Sequence, residues 1–408
     1  MSGAMGDTVK PLDGIRVLDL THVLAGPYAT LFLAQAGAEV IKIERPGTGE
    51  LARRHLVRAA DGRTVDHTMA YLNRGKKGVT LDLRSEEGRE IFIELVKISD
   101  VVMENFTATT MRRLGLDYAT LAEINPRIVY TSVSGFGHDD IYPGPYTERP
   151  AFNLIAQAMS GIMDITGERD GPPVPTGVAI GDLVAGIFAV SGTLMALRHR
   201  DLTGRGQHVD VAMYDSLASF SQRALLRYHL TDELPTRGND ARENPLGAFR
   251  VADGYVVMTT MGDAMWDRLC TLIDRTDLRD DPDLNPDTAR GRRYDQVLRP
   301  ILEEWARERT RAEVVELFRA ADLPAAPVQN VHDLLHCPQL RARRMVYEVD
   351  DPRRGRLAFT GNPIKLSRVP EEEPAPAPEL GEDTDEVLAK LLDLDGARLI
   401  GLRARNVV

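Results

Sequence analysis

From residue 14 the chain alternates strand-like and helix-like segments, a pattern that leaves few folds open. "IRVLDL" reads as a strand, "YATLFLAQAGA" as a helix and "EVIKIE" as a strand again. The unit recurs through "VTLDL", "EEGREIFIELVKIS", "DVVMENF", two short helical patterns ending at Asn125, and "RIVYTSVSGFG". Each helical crossover returns the chain to the same end of the sheet, so strands joined this way pair in parallel, and the helices cover both faces. The expected fold class is therefore α/β with a doubly wound parallel sheet. The loop after the first strand is "THVLAGP". It lacks the G-x-G-x-x-G that seats a nicotinamide dinucleotide, which argues against a redox enzyme of that type.

At about 150 residues per domain, 408 residues suggest two or three domains. "TGRGQHVDVAM" reads as a turn entering a strand, and a long helical pattern runs from Tyr214 to His229. The composition then shifts. Residues 246–327 carry short strands ("AFRVADGYVVMTT") followed by charged helices ("RRYDQVLRPILEEWARERT", "RAEVVELFRAA"), a smaller α+β domain. Near the end, "VPEEEPAPAPELGEDTDEVL" is rich in Pro and Glu and is expected as an extended connector before a last short helix, "DEVLAKLLDL".

A net charge of −11 disfavours a general nucleic-acid partner, although Arg-rich stretches such as "LARRHLVRAADGR" suit a small anionic ligand. Cys270 and Cys337 are far apart and are the only cysteines, which points to a reducing compartment, and a cytoplasmic address is expected. The segment "MSGAMGDTVKPLDG" has no apolar signal core. The longest apolar stretch, 183–197, is broken by Gly, Ser and Thr and is expected to fall short of a membrane span.

His332 and His336 in "HDLLH" have the i, i+4 spacing of helix-borne metal ligands, but Asp333 replaces the Glu of the metalloprotease motif and no third ligand is evident, so no metal site is expected. No G-x-S-x-G elbow marks a serine hydrolase, and "SVSGFG" is the nearest approach. Arg45 in "IERPG" and Phe106 in "ENF" follow strands, at the carboxyl edge where open α/β sheets hold ligands. With Arg84, Arg112 and Arg113 they make a phosphate-binding edge, although each taken singly is more often a surface charge or a core aromatic. Asp182 in "PTGVAIGDLVAG" stands alone in a small and aliphatic run, just before an apolar helical repeat. An Asp there is expected as the helix N-cap. That role is compatible with chemistry, because the helix N-terminus holds the carboxylate anionic and Gly181 leaves room for a thioester.

The ordered set "GIRVLDLTHVLAGPYAT", "AEVIKIERPG", "NRGKKGVTLDL", "DVVMENF", "INPRIVYTSVSGFG", "RPAFNLIAQAMSG", "GVAIGDLVAG", "TGRGQHVDVAMYDS" and "LGEDTDEVL" resembles the class III CoA-transferases (formyl-CoA and carnitine CoA-transferases, the CaiB/BaiF type) over nearly the whole chain. In that family the Asp of the "GD" step is the nucleophile, which carries onto Asp182. The resemblance implies CoA or acyl contacts at Leu24, Ala25, Arg45, Leu81, Asp82, Leu83, Arg84, Asn105, Phe106 and Arg113, with Phe152 and Asn153 beside the nucleophile. It implies a Rossmann-like large domain built from both chain ends (1–205 and 328–408), linker helices over 206–245, and the small domain between them. Two such subunits would form an interlocked homodimer. Coenzyme A and acyl-CoA would be substrates, with no tightly bound cofactor, and a carboxylic acid would be the acceptor. Succinyl-CoA or another short dicarboxylic thioester is the donor expected from the family. Formyl-CoA transferase has Gln at the Leu24 position, Glu at the Asn153 position and a glycine-rich flap with no counterpart here, and these departures count against formyl or oxalyl chemistry. A related α-methylacyl-CoA racemase would need acid/base partners, and Phe152 and Asn153 stand where racemases carry a His-Asp pair. The third reading is a non-catalytic CoA-binding partner subunit.

Overall fold

The computed structural model describes residues 9–168, 170–237, 246–285, 287–369, 371 and 374–408. The chain opens with β1 (Arg16–Asp19), α1 (Ala25–Gln35), β2 (Glu39–Glu44), a hairpin of β3 (Leu56–Arg58) and β4 (Thr64–Asp66), α2 (His67–Leu72), β5 (Lys77–Thr80), α3 (Glu86–Lys97) and β6 (Val101–Glu104). It continues through α4 (Thr110–Leu114), α5 (Tyr118–Ile124), β7 (Val129–Ser134), α6 (Asn153–Met159), α7 (Ile180–Thr203), β8 (His208–Ala212) and α8 (Met213–Ala218). Six of these strands form one sheet in the order β5-β2-β1-β6-β7-β8, every pair parallel. Counted within the sheet, that order is 3-2-1-4-5-6, the doubly wound arrangement the sequence predicts. The direction of winding reverses between β1 and β6. The crevice at their carboxyl ends is where such sheets take ligands.

Alternate residues of each strand face opposite layers. Leu18, Ile41, Val102 and Tyr130 face a core shared with Phe92 of α3 and Leu121 of α5. On the other face Thr131 of β7 meets Thr193 of α7, hydroxyl to hydroxyl at 2.7 Å. Helix α7 is continuous for 24 residues, which corrects the expectation that 183–197 is too short and broken: it has the length and composition of a membrane span, a measure that core helices also meet. The small residues do not break it. They give close contact with its neighbours, for a Cβ at Gly192 would stand 2.5 Å from Val209 of β8. Its buried face is made of Ala185, Gly186, Ala189, Thr193 and Ala196, and it packs along α1.

By internal contacts the chain divides into one unit of residues 1–160, 177–220 and 343–408 and another of 161–176 and 221–342. The segment 206–245, expected as linker helices, includes β8 of the large sheet, and the single helix expected over 214–229 is α8, a tight turn at Ser219–Ser221 and α9 (Gln222–Thr231). The second unit adds β9 (Leu246–Val251), β10 (Gly254–Thr259), α10 (Gly262–Leu272), α11 (Asp287–Arg292), α12 (Arg299–Ala306), α13 (Arg311–Ala320), β11 (Ala325–Pro327), α14 (Val331–His336) and α15 (Pro338–Ala342). Its three antiparallel strands, in the order β11-β10-β9, carry a core of Phe249, Val256, Trp266, Tyr294 and Phe318. This unit is α+β.

The return segment holds a hairpin the sequence did not announce, β12 (Val346–Asp351) with β13 (Gly355–Thr360). The helix expected in "DEVLAKLLDL" is α16 (Thr384–Leu392), but it is not the last, because α17 (Gly396–Ala404) follows. Leu388, Leu399, Leu402 and Val407 complete the core that also holds Leu18 and Ile41. In the connector, residues 370, 372 and 373 lie outside those described.

Candidate active site

Helix α7 begins one turn earlier than an Asp182 cap requires. Its N-cap is Ala179, which makes no side-chain cap, and Asp182 lies in the first turn. The capping expectation is therefore corrected. An orphan amide of that turn is satisfied from a second helix, as Gly181 N donates to Asn153 Oδ1 at 2.9 Å. Gln157 Nε2 donates to the same oxygen at 2.8 Å. With its oxygen held twice, the Asn153 side chain is fixed, and its Nδ2 faces away from these two donors. A Cβ at Gly181 would stand 3.0 Å from Asn153 Oδ1 and 3.1 Å from its backbone carbonyl. Only glycine lets the starts of α6 and α7 approach this closely.

Asp182 itself is mostly buried and receives no hydrogen bond from the described residues, and burial pushes its carboxyl up to about 6. Below that value it is neutral. Above it, it is an anion with little solvation, which is the condition of a reactive oxygen nucleophile. Asp182 and Gly186 are four residues apart and so share a helix face. A Cβ at Gly186 would meet the Ala25 carbonyl at 2.8 Å and the Tyr28 ring at 3.1 Å, so this face abuts the start of α1. The nucleophile candidate is thereby brought within one helical turn of the Leu24–Ala25 segment.

That segment crosses the sheet's reversal point. His22 N donates to Asn105 Oδ1 at 2.7 Å, and Asn105 Nδ2 donates back to the His22 carbonyl at 2.8 Å. The His22 ring meets Phe106 edge-on at 5.1 Å. Val23 has φ 65° and is the only β-branched residue among the described non-glycine residues of positive φ. Such a conformation costs on the order of 1–3 kcal/mol and persists only where its surroundings impose it.

Comparison with known proteins gives the family. Residues 12–384 match CoA-transferase family III. The chain belongs to the class III CoA-transferases. It is 40% identical over 390 residues to the succinyl-CoA:mesaconate CoA-transferase of Haloarcula hispanica, covering 94% of this chain and 96% of that one. It is 38% identical to the formyl-CoA:oxalate CoA-transferase of Streptomyces coelicolor, covering 98% and 100%. Among solved structures, a CaiB/BaiF family protein from Brucella suis is similar with a TM-score of 0.82 at 33% identity, covering 94% of this chain and 99% of that one.

In this CoA-transferase the remaining expected residues fall on the carboxyl edge of the sheet. Arg45 follows β2 and is exposed, and Leu81 to Arg84 follow β5. Leu81 N bonds the Glu44 carbonyl, Asp82 N bonds the Val407 carbonyl, and Arg84 N bonds Asp82 Oδ1. Arg113 on α4 is exposed, as is Arg112, which pairs with Asp139 at 2.9 Å. Phe152 is exposed as the N-cap of α6, and no described ring or cation stacks on it. Among the described residues no group of three or more His, Cys, Asp or Glu side chains is placed to hold a metal. His336 Nδ1 instead donates to the His332 carbonyl at 2.8 Å, and Arg311 holds Asp333 at 2.9 Å.

Two clusters escaped the sequence reading. Buried Lys42 of β2 pairs with buried Glu50 at 3.1 Å and donates to the Thr21 carbonyl at 2.7 Å. Their signal was a lysine inside the apolar run "EVIKIE". Across neighbouring β6, β7 and β8, His138 Nδ1 donates to Asp210 Oδ1 at 2.8 Å and its other nitrogen lies 3.8 Å from buried Glu104, while Ser132 joins His208 at 2.7 Å. Burial pushes Glu104 up to about 7 against the opposing pull of His138. Burial alone would lower His138, yet the Asp210 hydrogen bond and the Glu104 charge hold it above the usual imidazole range. This cluster anchors the "SGFGH" loop. Two cavities, of about 340 and 410 Å³, lie elsewhere in the first unit: one under the far end of α1 at Phe32–Ala36, the other beside Arg74 and Phe359.

Proposed function

We propose that Asp182 carries CoA between an acyl-CoA donor and a free carboxylic acid through covalent intermediates. The observation that carries this reading is an under-solvated carboxylate, free of hydrogen bonds from the described residues, on the face of α7 that abuts Leu24–Ala25. One Asp182 oxygen attacks the donor thioester carbonyl. The C–S bond breaks, and a mixed anhydride and CoA thiolate result. The thiolate then attacks the aspartyl carbonyl of the anhydride, releasing the donor acid as its carboxylate and leaving an aspartyl-CoA thioester. An acceptor carboxylate reverses the two steps, and no net proton is consumed. Splitting the exchange this way lowers each barrier. Each tetrahedral oxyanion needs fixed donors, for which the Asn153 side chain and the amides of Gly135 and Phe136 are the candidates, Gly137 N being held by Ser134 Oγ.

CoA would lie along Leu24, Ala25, Arg45, Leu81 to Arg84, Asn105, Phe106 and Arg113, with Phe152 and Asn153 beside the acyl group. Relatives named for succinyl-CoA with mesaconate, and for formyl-CoA with oxalate, support a short dicarboxylic donor or acceptor. Leu24 and Asn153, where formyl-CoA transferase has Gln and Glu, weigh toward the former pair. No prosthetic group takes part. The enzyme works as an interlocked homodimer, a reading supported by the exposed apolar side chains of Leu154, Ile155, Ile187, Phe188 and Met195 on α6 and α7, and its two separated cysteines fit a cytoplasmic address. Racemisation is disfavoured because neither Phe152 nor Asn153 titrates. Acyl-CoA donors scanned against a carboxylate library, with mass detection of new thioesters, test the proposal. In deuterated buffer a chiral 2-methylacyl-CoA should gain no α-deuterium, and rapid exchange without CoA transfer would contradict it.

A further inference from the structure

We infer that Glu50 is a positioning residue for CoA transfer: its carboxylate holds Val23 in the left-handed turn and thereby sets where Leu24 and Ala25 meet the acyl-CoA. The inference rests on the reading above that Leu24 and Ala25 contact the substrate. Glu50 Oε2 accepts from Val23 N at 2.8 Å and from Ala52 N at 3.1 Å, while Oε1 faces Lys42 Nζ at 3.1 Å. Lys42 also donates to the Thr21 carbonyl, so one buried ion pair grips the loop on both sides of His22. Asn105, just past the end of neighbouring β6, fixes His22 through two hydrogen bonds. Val23 is thus caught between clamps, and its strain has no way to relax while they hold.

The far side of the turn is the start of α1. Tyr28 N donates to the Leu24 carbonyl at 2.8 Å, and Leu24 is the N-cap of that helix without a side-chain cap. If Val23 relaxed to negative φ, the peptide linking it to Leu24 would rotate and carry that carbonyl with it. The first turn of α1 is also the surface against which Gly186 of α7 packs. The position of Leu24 relative to Asp182 is therefore set by an acid that need not touch substrate. A valine would not hold this turn by itself, whereas glycine would.

Glu50→Asp keeps the charge opposite Lys42 but withdraws the carboxylate from Val23 N by one methylene. The expected result is an acyl-CoA KM raised about tenfold or more with kcat moved far less. Adding Val23→Gly should recover most of that loss, because glycine takes positive φ without an external acceptor. An unchanged KM in Glu50→Asp, or an equal loss with and without Val23→Gly, would overturn the inference. Should Glu50→Asp fail to fold, residue-resolved hydrogen exchange on the unmodified enzyme decides: a protected Val23 amide supports the clamp, and exchange at the free-peptide rate refutes it. In the same experiment, added CoA should slow exchange over residues 22–28. Its failure to do so would remove the substrate contact on which the inference depends, a result separable from the state of the Val23 amide.

Discussion

The proposed chemistry concentrates in one carboxyl group, that of Asp182, whose environment disfavours its own charge. Its folded value of about 6 stands above the ordinary 3.8, so the folded state holds a proton that the unfolded chain has lost. The stability penalty grows as pH rises from about 4 to about 6 and is complete above that, on the order of 2 kcal/mol. Asp182→Asn should therefore abolish transfer yet melt no lower than the parent at about pH 8, with any advantage vanishing near about pH 4. A marked fall in melting temperature at the higher pH, or retained turnover, would contradict this. Since attack requires the anion, kcat/KM should fall on the acid side of about 6. A profile flat down to about pH 4.5 would mean that the nucleophile is another group. Local sequence singles out Asp182, because a lone acid in an apolar run is conspicuous, but offers it as a helix cap and misplaces the helix start; the nucleophile role comes from the family resemblance. The helix begins at Ile180 instead, and the first-turn amide of Gly181 is taken by Asn153, which is distant in the chain.

At the scale of elements, the site depends on how closely α7 approaches α6 and α1. Gly181→Ala would press a methyl group on Asn153, and Gly186→Ala would press one on the Ala25 carbonyl. Each should lower kcat/KM by about tenfold or more while changing stability by about 1 kcal/mol, since helix propensity favours Ala and offsets part of the clash. Kinetics at the wild-type level in both variants would show that these contacts do not set the geometry. The edge cluster gives a pH test. Glu104, held near about 7, penalises the fold increasingly from about 4.5 to about 7. Glu104→Gln should thus gain thermal stability relative to the parent as pH rises from about 5 to about 8, and a constant difference would refute the assignment. Five of the six parallel strands were legible because they are almost wholly buried, which writes apolar runs; β8 is only partly buried, and its segment falls among the expected linker helices. The β12–β13 hairpin was not, since its strands are only partly buried and its turn is tied down by charge, Arg354 to Asp66 at 2.6 Å. Helix α17, "GARLIGLRA", is short and carries glycines, so its pattern is weak; the core it completes comes from the opposite end of the chain.

For the whole molecule, the reversal between β1 and β6 in the doubly wound sheet brings the loops that carry the proposed CoA contacts, from Leu24 to Arg113, to one edge. The proposed homodimer should appear in light scattering as twice the chain mass, and a monodisperse active monomer would exclude it. The central claim is the covalent route through Asp182. Acid quenching of the enzyme during turnover with succinyl-CoA, followed by digestion and tandem mass spectrometry, should find CoA in thioester linkage on the peptide containing Asp182, absent from Asp182→Asn and discharged by added acceptor acid. Sustained transfer with that peptide unmodified, or with the adduct on a different carboxylate, would contradict the account.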